Sequence, residues 1–165
     1  MSDTALDEFQ LLNCSGRGHG VFTTKEYFRG DIVMVGVIEK ELRANHSHAS
    51  QIGKDRYVFH AGLISKVNHS CAPNCGIHVN ETGAHDFIAM KHIRASQEVT
   101  FDYAMRNYGV DHFPDVCICG APSCRGHITG WKDLPESKKK EYGAYAAPYL
   151  RTLDASCQLI PKRTP

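Results

Sequence analysis

The chain has 165 residues, of which 42% are hydrophobic, with 19 lysines and arginines against 18 aspartates and glutamates. This length is typical of one compact domain with its own core, and the composition excludes a disordered chain of high net charge. A net charge of +1 gives no long-range attraction to nucleic acid or membranes. The unusual feature is seven cysteines together with ten histidines.

The cysteines raise the question of compartment. Residues 1–10 have neither a basic start nor an apolar run, so they are not a secretory signal. No uncharged apolar stretch of about 18 residues occurs, so neither a membrane-spanning helix nor a membrane partner is expected. We therefore expect an intracellular protein, in which clustered cysteines indicate metal binding or catalysis rather than disulfides.

Short runs rich in Val, Ile, Phe and Thr occur between Gly20 and Phe101, each bounded by residues that favour turns. They predict many short strands joined by irregular loops. The runs are residues 21–24, 32–35, 57–59, 77–79, 87–90 and 99–101. The polar segment 43–54 is expected to hold a turn or a short helix.

The last third of the chain predicts one helix. Pro135 suits a first helical turn, Glu136 and Lys140 form a favourable pair four residues apart, and Pro148 should end the helix. Residues 155–165 show no periodicity and are expected to be a frayed tail. We predict one mainly β domain with a small zinc lobe and a C-terminal helix.

Two motifs are weak signals when each is considered alone. Residues 16–20 (GRGHG) contain three glycines, but a strand-like run follows them, so a dinucleotide-binding loop is not predicted. A glycine turn is the simpler interpretation, and it leaves a backbone that a ligand can approach closely. Residues 98–103 alternate as a strand does, and Tyr103 at its end is either a packing residue or a functional hydroxyl.

The segment 68–75 (NHSCAPNC) is a polar loop that contains a proline. Asn and His side chains can hydrogen-bond a ligand, and Cys71 and Cys75 can bind a metal. A Cys/His nucleophile pair would require the two side chains to meet in space, which adjacency in sequence does not ensure. A polar loop with a structural cysteine is an equally good interpretation.

Three thiols lie close together in the segment 117–124, which also contains Gly and Pro to turn the chain. They belong to Cys117, Cys119 and Cys124. A tetrahedral Zn²⁺ site needs four ligands, and thiolates suit zinc well. Cys71 or Cys75 is a sensible fourth ligand that would join the two loops, with His112 and His127 as substitutes.

Taken together and in this order, four segments resemble the SET-domain protein lysine methyltransferases. They are residues 16–22 (GRGHGVF), 68–74 (NHSCAPN), 98–103 (EVTFDY) and 117–126 (CICGAPSCRG), the last being similar to a post-SET zinc segment. The resemblance implies a β-clip fold of short strands, in which the Asn68 loop and the strand 98–103 cross in a knot-like way. It divides the chain into a SET domain (9–113), a post-SET zinc segment (114–130), and a C-terminal helix and tail (131–165).

The resemblance also implies S-adenosylmethionine as methyl donor, with one Zn²⁺ as a second cofactor. The implied cofactor contacts are Arg17, Gly18, His19, Asn68, His69, Tyr103 and Arg125, the last at the start of a segment, 125–128, that would close over the adenine. The implied zinc ligands are Cys71, Cys117, Cys119 and Cys124, which leaves Cys75 outside the set.

Tyr103 carries over from the family as the catalytic tyrosine. An unperturbed lysine amine has a pKa near 10.4, so only about 0.1% is neutral near pH 7.4. A narrow channel beside a positive sulfonium would lower that pKa, and a tyrosine hydroxyl with backbone carbonyls can orient the amine. Phe101 carries over as the position that sets product number, and it leaves more room than tyrosine, so di- or trimethylation is expected.

One departure from the family pattern concerns the acceptor channel. In an ungapped alignment, Gly36 stands where the family often has a tyrosine that lines this channel. Either Tyr57 or Tyr108 fills the gap, or the acceptor pocket is wider and the substrate unusual.

We therefore predict an S-adenosylmethionine-dependent lysine N-methyltransferase that acts on an exposed lysine of a histone or another protein. The alternatives are a SET-type tailoring enzyme for a small amine or free amino acid, and a non-catalytic, zinc-stabilised interaction module. Neither direct nucleic-acid binding nor a membrane partner is expected, and the location is expected to be nuclear or cytoplasmic.

Overall fold

The computed structural model describes residues 8–158, and short strands make up most of its regular structure. The strands are β1 (Phe9–Cys14), β2 (Gly18–Thr23), β3 (Ile32–Met34), β4 (Ile38–Leu42), β5 (Ser50–Gly53), β6 (Arg56–His60), β7 (Asn68–His69), β8 (Cys75–Val79), β9 (His85–Ala89) and β10 (Glu98–Phe101). The helices are α1 (Glu136–Tyr142) and α2 (Pro148–Gln158). The mainly β fold that the sequence predicts is confirmed.

The described strands form three small sheets. Their orders are β1-β2-β10-β7, β3-β9-β8 and β4-β6-β5. All strand pairs are antiparallel except β10 and β7, which run parallel with Thr100 opposite Asn68 and Phe101 opposite His69. Val99, Thr100 and Phe101 are all buried because β10 lies between two neighbours and is covered on both faces.

The segment after β7 stays in contact with β10, as the family resemblance implies. The Ser70 N–H donates to the Phe101 carbonyl at 3.0 Å. The Asn74 amide donates to the Glu98 carbonyl at 2.7 Å and accepts from the Thr100 N–H at 2.9 Å. These bonds fix β10 against the residues that carry the Asn68 motif, so two distant motifs meet in space.

Two helices occur where the sequence predicted one. α1 ends at Tyr142 and is followed by Gly143, whose φ of 43° does not continue a helix. The prediction that Pro148 ends the helix was wrong, because Pro148 is the first residue of α2. Proline suits that place because the N–H it lacks would have no intrahelical acceptor in the first turn.

Two smaller predictions about this region also need correction. The ion pair that the structure gives Glu136 is with Lys139, at 3.5 Å, and not with Lys140. Residues 155–158 continue α2, and residues 159–165 of the predicted tail lie outside the described residues.

The segment 43–54 was predicted to hold a turn or short helix; it does contain a turn at residues 47–48, but it also contributes the strand β5, which was not expected. Ser50 and Gln51 pair with Val58 and Tyr57 of β6, so tertiary pairing decides the conformation of a polar segment that has no strand pattern. Among residues 8–158, no helix is long and apolar enough to cross a membrane.

The hydrophobic core joins β strands to the C-terminal helices. Its large, fully buried side chains include Ile77, Phe87, Phe101, Trp131, Tyr142 and Leu150. The segment from residue 131 onward is therefore part of the same core as the strands that carry the motifs.

Candidate active site and metal centre

A cavity of about 470 Å³ lies where the β1–β2 hairpin, β7, the end of β10 and the cysteine-rich loop come together. Its wall includes Gly16, Arg17, His19, Lys66, Val67, Asn68, His69, Tyr103, Phe113, Cys119 and Ile128. The sequence predicted Arg17, His19, Asn68, His69 and Tyr103 as neighbours at a cofactor site, and the structure brings these residues together. The wall thus combines residues from four separate sequence motifs.

The hairpin is tied to β10 through the carboxylate of Glu98. Arg17 donates to both oxygens of Glu98 at 3.2 and 2.9 Å, and the Asn68 amide donates to Oε1 at 2.9 Å. Gly20 allows this close approach, because a Cβ there would lie 2.4 Å from Glu98 Oε1 and 2.7 Å from the Cys14 sulfur. The guanidinium of Arg17 therefore holds the hairpin against β10, and Arg17 is also part of the cavity wall.

Tyr103 is largely enclosed by aromatic rings and one carbonyl. Its hydroxyl donates to the Val67 carbonyl at 3.4 Å, and its ring lies 4.6 Å from Phe113 and 5.2 Å from His69, centroid to centroid. Burial raises the pKa of the Tyr103 hydroxyl, so it stays protonated at neutral pH and acts as a donor.

His69 connects Tyr103 to the cysteine cluster. The Tyr103 N–H donates to His69 Nδ1 at 3.2 Å, which assigns the ring proton to Nε2, and Nε2 lies 3.4 Å from the Cys71 sulfur. Burial lowers the pKa of His69 to about 4, although the nearby Asp102 opposes that shift. A neutral ring is what the observed hydrogen bond from Tyr103 requires.

Four cysteine sulfurs form a compact cluster beside the cavity. They belong to Cys71, Cys117, Cys119 and Cys124, and all lie within 4.8 Å of one another. The Cys71 and Cys117 sulfurs are 3.8 Å apart, which is too far for a disulfide. A tetrahedron with metal–sulfur bonds of about 2.3 Å has edges of about 3.8 Å, so the spacing suits zinc.

The backbone around the cluster is arranged for thiolates. The N–H groups of Cys71, Arg125 and Gly126 point to sulfurs of Cys119, Cys71 and Cys124 at 3.5, 3.4 and 3.4 Å. Burial acts to raise the pKa of Cys119, but N–H donors from Cys71 and Ala121 bring it down to about 7.

The other candidates for the fourth ligand lie elsewhere. Cys75 is buried in β8 opposite Ala89, and His127 Nδ1 is bonded to the Asp115 carbonyl at 2.9 Å. Of the alternatives open at the level of sequence, Cys71 is the one that completes the cluster.

Two residues predicted to contact the cofactor are not in the cavity wall. Gly18 begins β2 outside it, and the Arg125 guanidinium is bound to the Asp102 carboxylate at 2.6 and 3.1 Å. Ile128, from the segment predicted to close over the adenine, does lie in the wall. Cofactor contacts by all seven residues stay predictions.

Gly36 has a packing role that sequence alignment did not reveal. A Cβ at this position would lie 2.3 Å from the His85 carbonyl oxygen, and the Gly36 N–H donates to Asp86 at 2.7 Å. Neither Tyr57 nor Tyr108 lines the cavity. Among the aromatic rings that pack on Tyr103, that of Phe113 comes from a segment that no motif identified.

Behind Phe101 lies a group that we call the interior cluster, formed by His60, His85 and Arg106. The Arg106 guanidinium stacks on the Phe101 ring at 4.8 Å, and the His60 and His85 rings are 5.5 Å apart. In the part of the chain that the structure describes, Arg106 Nε and Nη1 and both ring nitrogens of His85 lack hydrogen-bond partners.

The interior cluster has one charge. Burial lowers the pKa of Arg106 to about 10, so it remains a cation at neutral pH. Burial, followed by repulsion from Arg106, lowers the pKa of His60 to about 4 and that of His85 well below its usual value. Both histidines are therefore neutral.

Comparison with known protein families matches the centre of the chain. The family model described as SET domain aligns with residues 18–104, just over half of the 165 residues. This chain belongs to the SET-domain family. The resemblance drawn from the four motifs is confirmed.

Characterised SET-domain relatives are similar over various lengths. A histone-lysine N-methyltransferase of Emericella nidulans, H3 lysine-36 specific, is 33% identical over 146 residues, which cover 81% of this chain and 15% of that protein. A Saccharomyces cerevisiae histone-lysine N-methyltransferase, H3 lysine-4 specific, is 36% identical over 70 residues, covering 41% of this chain and 6% of that protein. The chain thus spans a small part of these relatives.

Solved structures show the same SET fold. KRYPTONITE in complex with DNA, an H3(1-15) peptide and SAH superposes with a TM-score of 0.57 at 24% identity. The match covers 73% of this chain and 29% of that one. At 24% identity the similarity establishes the fold, and conclusions about function must come from the residues of the site.

Proposed function

We propose that this SET domain transfers methyl groups from S-adenosylmethionine to a lysine side chain of a protein, with a histone as the first candidate. The observation that carries the proposal is the position of Tyr103, whose protonated hydroxyl is held at the cavity wall by the Val67 carbonyl. Relatives that match most of the chain are named histone-lysine N-methyltransferases, which supports the substrate class.

The cavity suits the methyl donor in size and chemistry. Its volume of about 470 Å³ is within the range of ligand pockets, and its wall mixes apolar side chains with the polar Asn68 and His69. The donor, when bound, supplies a methyl group on a positively charged sulfur. The chain's own residues would bind and orient it, exclude water and place the acceptor in line.

The acceptor amine must be neutral to attack, and the chain offers a way to favour that form. A lysine amine enclosed by the rings of Tyr103 and Phe113, which line the cavity, would lose solvation, which lowers its pKa. The nitrogen of the neutral amine would then form a bond to the methyl carbon of the donor, whose sulfur would keep the electron pair of the broken carbon–sulfur bond. The amine proton leaves to solvent, so the Tyr103 hydroxyl orients the reactants and is not required as a base.

A labelled-cofactor assay tests the proposal. We expect label from S-adenosylmethionine on lysine side chains of histones or other proteins, identified by mass spectrometry of the products. Tyr103→Phe should lower the rate by at least about 100-fold, because one donor at the reacting centre is lost. Label found only on small amines would support the tailoring enzyme, and absence of cofactor binding would support the interaction module.

The proposal includes one zinc ion on the four-cysteine cluster. The distances between the four sulfurs fit zinc. Through Cys71, the metal would join the segment that follows β7 to the loop that carries the other three thiols. We expect one zinc per chain by elemental analysis, lost in Cys71→Ser. Cys75→Ser is the matched control, since Cys75 is also buried but lies outside the cluster. Equal zinc in both variants would remove Cys71 from the ligand set.

Product number is proposed to depend on Phe101. Its ring packs against Phe87 at 4.9 Å and Tyr103 at 5.1 Å but is not part of the cavity wall. The proposal requires that a hydroxyl added there narrow the space beside Tyr103 in which a methylated amine must turn. We expect di- or trimethyllysine from the native chain and a shift toward monomethyllysine in Phe101→Tyr. The same product mixture from both proteins would contradict this role.

Partners and location follow from the same proposal. An exposed lysine on a protein is the expected partner, and a nuclear site fits the histone methyltransferase relatives. The absence of nucleic-acid binding stays a prediction. The division of the chain into segments that end at residues 113 and 130 also stays a prediction.

A further inference from the structure

Asp102 is the point at which four parts of the chain meet. Its carboxylate is fully buried and accepts two bonds from Arg125, at 2.6 and 3.1 Å, and one from the Ala104 N–H at 3.1 Å. The Tyr142 hydroxyl donates to Oδ2 at 2.7 Å, and His69 Nδ1 lies 3.5 Å from Oδ1. One carboxylate thus contacts β7, the end of β10, the cysteine-rich loop and α1.

Two of these donors, Arg125 and Tyr142, come from outside the family-matched residues 18–104, and Tyr142 is the one on a C-terminal helix. It is the last residue of α1, and its side chain is fully buried. Burial raises the pKa of its hydroxyl, with a further contribution from Asp102, so the hydroxyl stays protonated and can donate. A buried hydroxyl on a buried carboxylate is a strong, directional contact.

Asp102 links Tyr142 to both the cysteine cluster and the cavity wall. Arg125 follows directly after Cys124, and its own N–H points to the Cys71 sulfur at 3.4 Å. On the other side, Asp102 caps the turn that begins at Tyr103. The position of the carboxylate therefore bears on both the cysteine cluster and the cavity wall.

We propose that Tyr142 is a positioning residue for the cofactor cavity. Its hydroxyl fixes the Asp102 carboxylate, and the carboxylate holds Arg125 so that the cysteine-rich loop stays closed against the cavity. This inference rests on the proposed function for the identity of the ligand, and on geometry alone for the closure of the loop. It makes α1 part of the catalytic unit rather than an appendage.

The test compares Tyr142→Phe with Tyr149→Phe in the full chain. Each variant removes one buried hydroxyl from the C-terminal helices, but the Tyr149 hydroxyl bonds to the carbonyls of Gln51 and Arg106, away from Asp102. In Tyr142→Phe we expect faster hydrogen–deuterium exchange across residues 116–128 and a KM for S-adenosylmethionine raised about tenfold, with the acceptor KM unchanged. Tyr149→Phe should change neither quantity.

Each outcome bears on the inference. Equal exchange in residues 116–128 for the two variants, or no increase in Tyr142→Phe, would overturn the positioning role. A native chain that binds no S-adenosylmethionine would contradict the proposed function, while the exchange comparison would still decide the role of Tyr142. Rapid exchange throughout Tyr142→Phe would indicate global destabilisation and would also overturn a specific role.

Discussion

The carboxylates of the fully buried Asp102 and the partly buried Glu98 each accept hydrogen bonds from several elements. The interior cluster behind Phe101, by contrast, has a buried cation for which residues 8–158 supply no carboxylate partner. Both regions are close to Tyr103, so burial alone does not explain the difference. In the first region, charge serves to join distant segments around the cavity. In the second, the Arg106 guanidinium stacks on the Phe101 ring, a contact that offsets only part of its desolvation.

The difference predicts opposite signs for the effect of removing charge. Breaking a buried, paired ion leaves its partner uncompensated and costs stability. Replacing a buried ion that has no partner with an apolar side chain removes a desolvation penalty and should stabilise the fold. Three measurements of stability test this contrast.

Asp102→Asn should lower the free energy of unfolding by about 3–5 kcal/mol, because the Arg125 cation loses its counter-ion. Urea denaturation of zinc-loaded protein measures the change. Glu41→Gln is the control, since its ion pair with Arg56 is exposed on both sides and should contribute less than about 0.5 kcal/mol. Similar losses of unfolding free energy in the two variants would mean that the Asp102 network stabilises the fold no more than an exposed ion pair does.

Acidification should destabilise the folded chain through His60 of the interior cluster. The folded-state pKa of His60 is about 4, below its ordinary value of 6.5, so between these values the unfolded chain binds the proton and the folded chain does not. Stability therefore falls as pH decreases from about 6.5 towards 4. At pH 5 the loss from His60 is about 2 kcal/mol relative to pH 7.

His60→Gln isolates that contribution. Urea unfolding at pH 7 and pH 5 should show a pH dependence about 2 kcal/mol smaller in the variant than in the native chain. Carboxylates and thiols elsewhere affect both proteins equally and cancel in the comparison. An unchanged pH dependence would show that His60 is accessible to protons in the folded state.

Arg106→Met should raise the free energy of unfolding by about 1–2 kcal/mol, because an unpaired buried cation is replaced by an apolar chain of similar length. Arg125→Met, which removes a paired cation near the same strand, should lower it. If Arg106→Met is as destabilising as Arg125→Met, the two regions do not differ in the way described.

Local pattern predicted the parts of the molecule that depend on nearby residues. The short strands and the three thiols of residues 117–124 follow from residue type and spacing, whereas the choice of Cys71 as the fourth came from the resemblance to the family that the order of the motifs identified. Gly36 shows the limit, because an alignment reveals the missing tyrosine but not the backbone of His85 that excludes a side chain. Phe113 and Tyr142 reach the site from segments without a motif, so nothing in their sequence context marked them.

The same limit applies to the polar interior. Arg106 follows Tyr103 in a turn, and a charged residue there would ordinarily be expected to face solvent. Arg106 is nevertheless buried, because the folded chain packs around that turn, and such enclosure depends on contacts between residues far apart in sequence.

The cysteine cluster has a consequence for the order in which the chain assembles. Cys71 and Cys117 are separated by 46 positions, and β8, β9 and β10 all lie between them. Bringing their sulfurs together first would require closing a long, disordered loop, which carries an entropic penalty. Metal capture is therefore expected late in folding, after those strands have paired, so that the rate of zinc uptake would report completion of the native state.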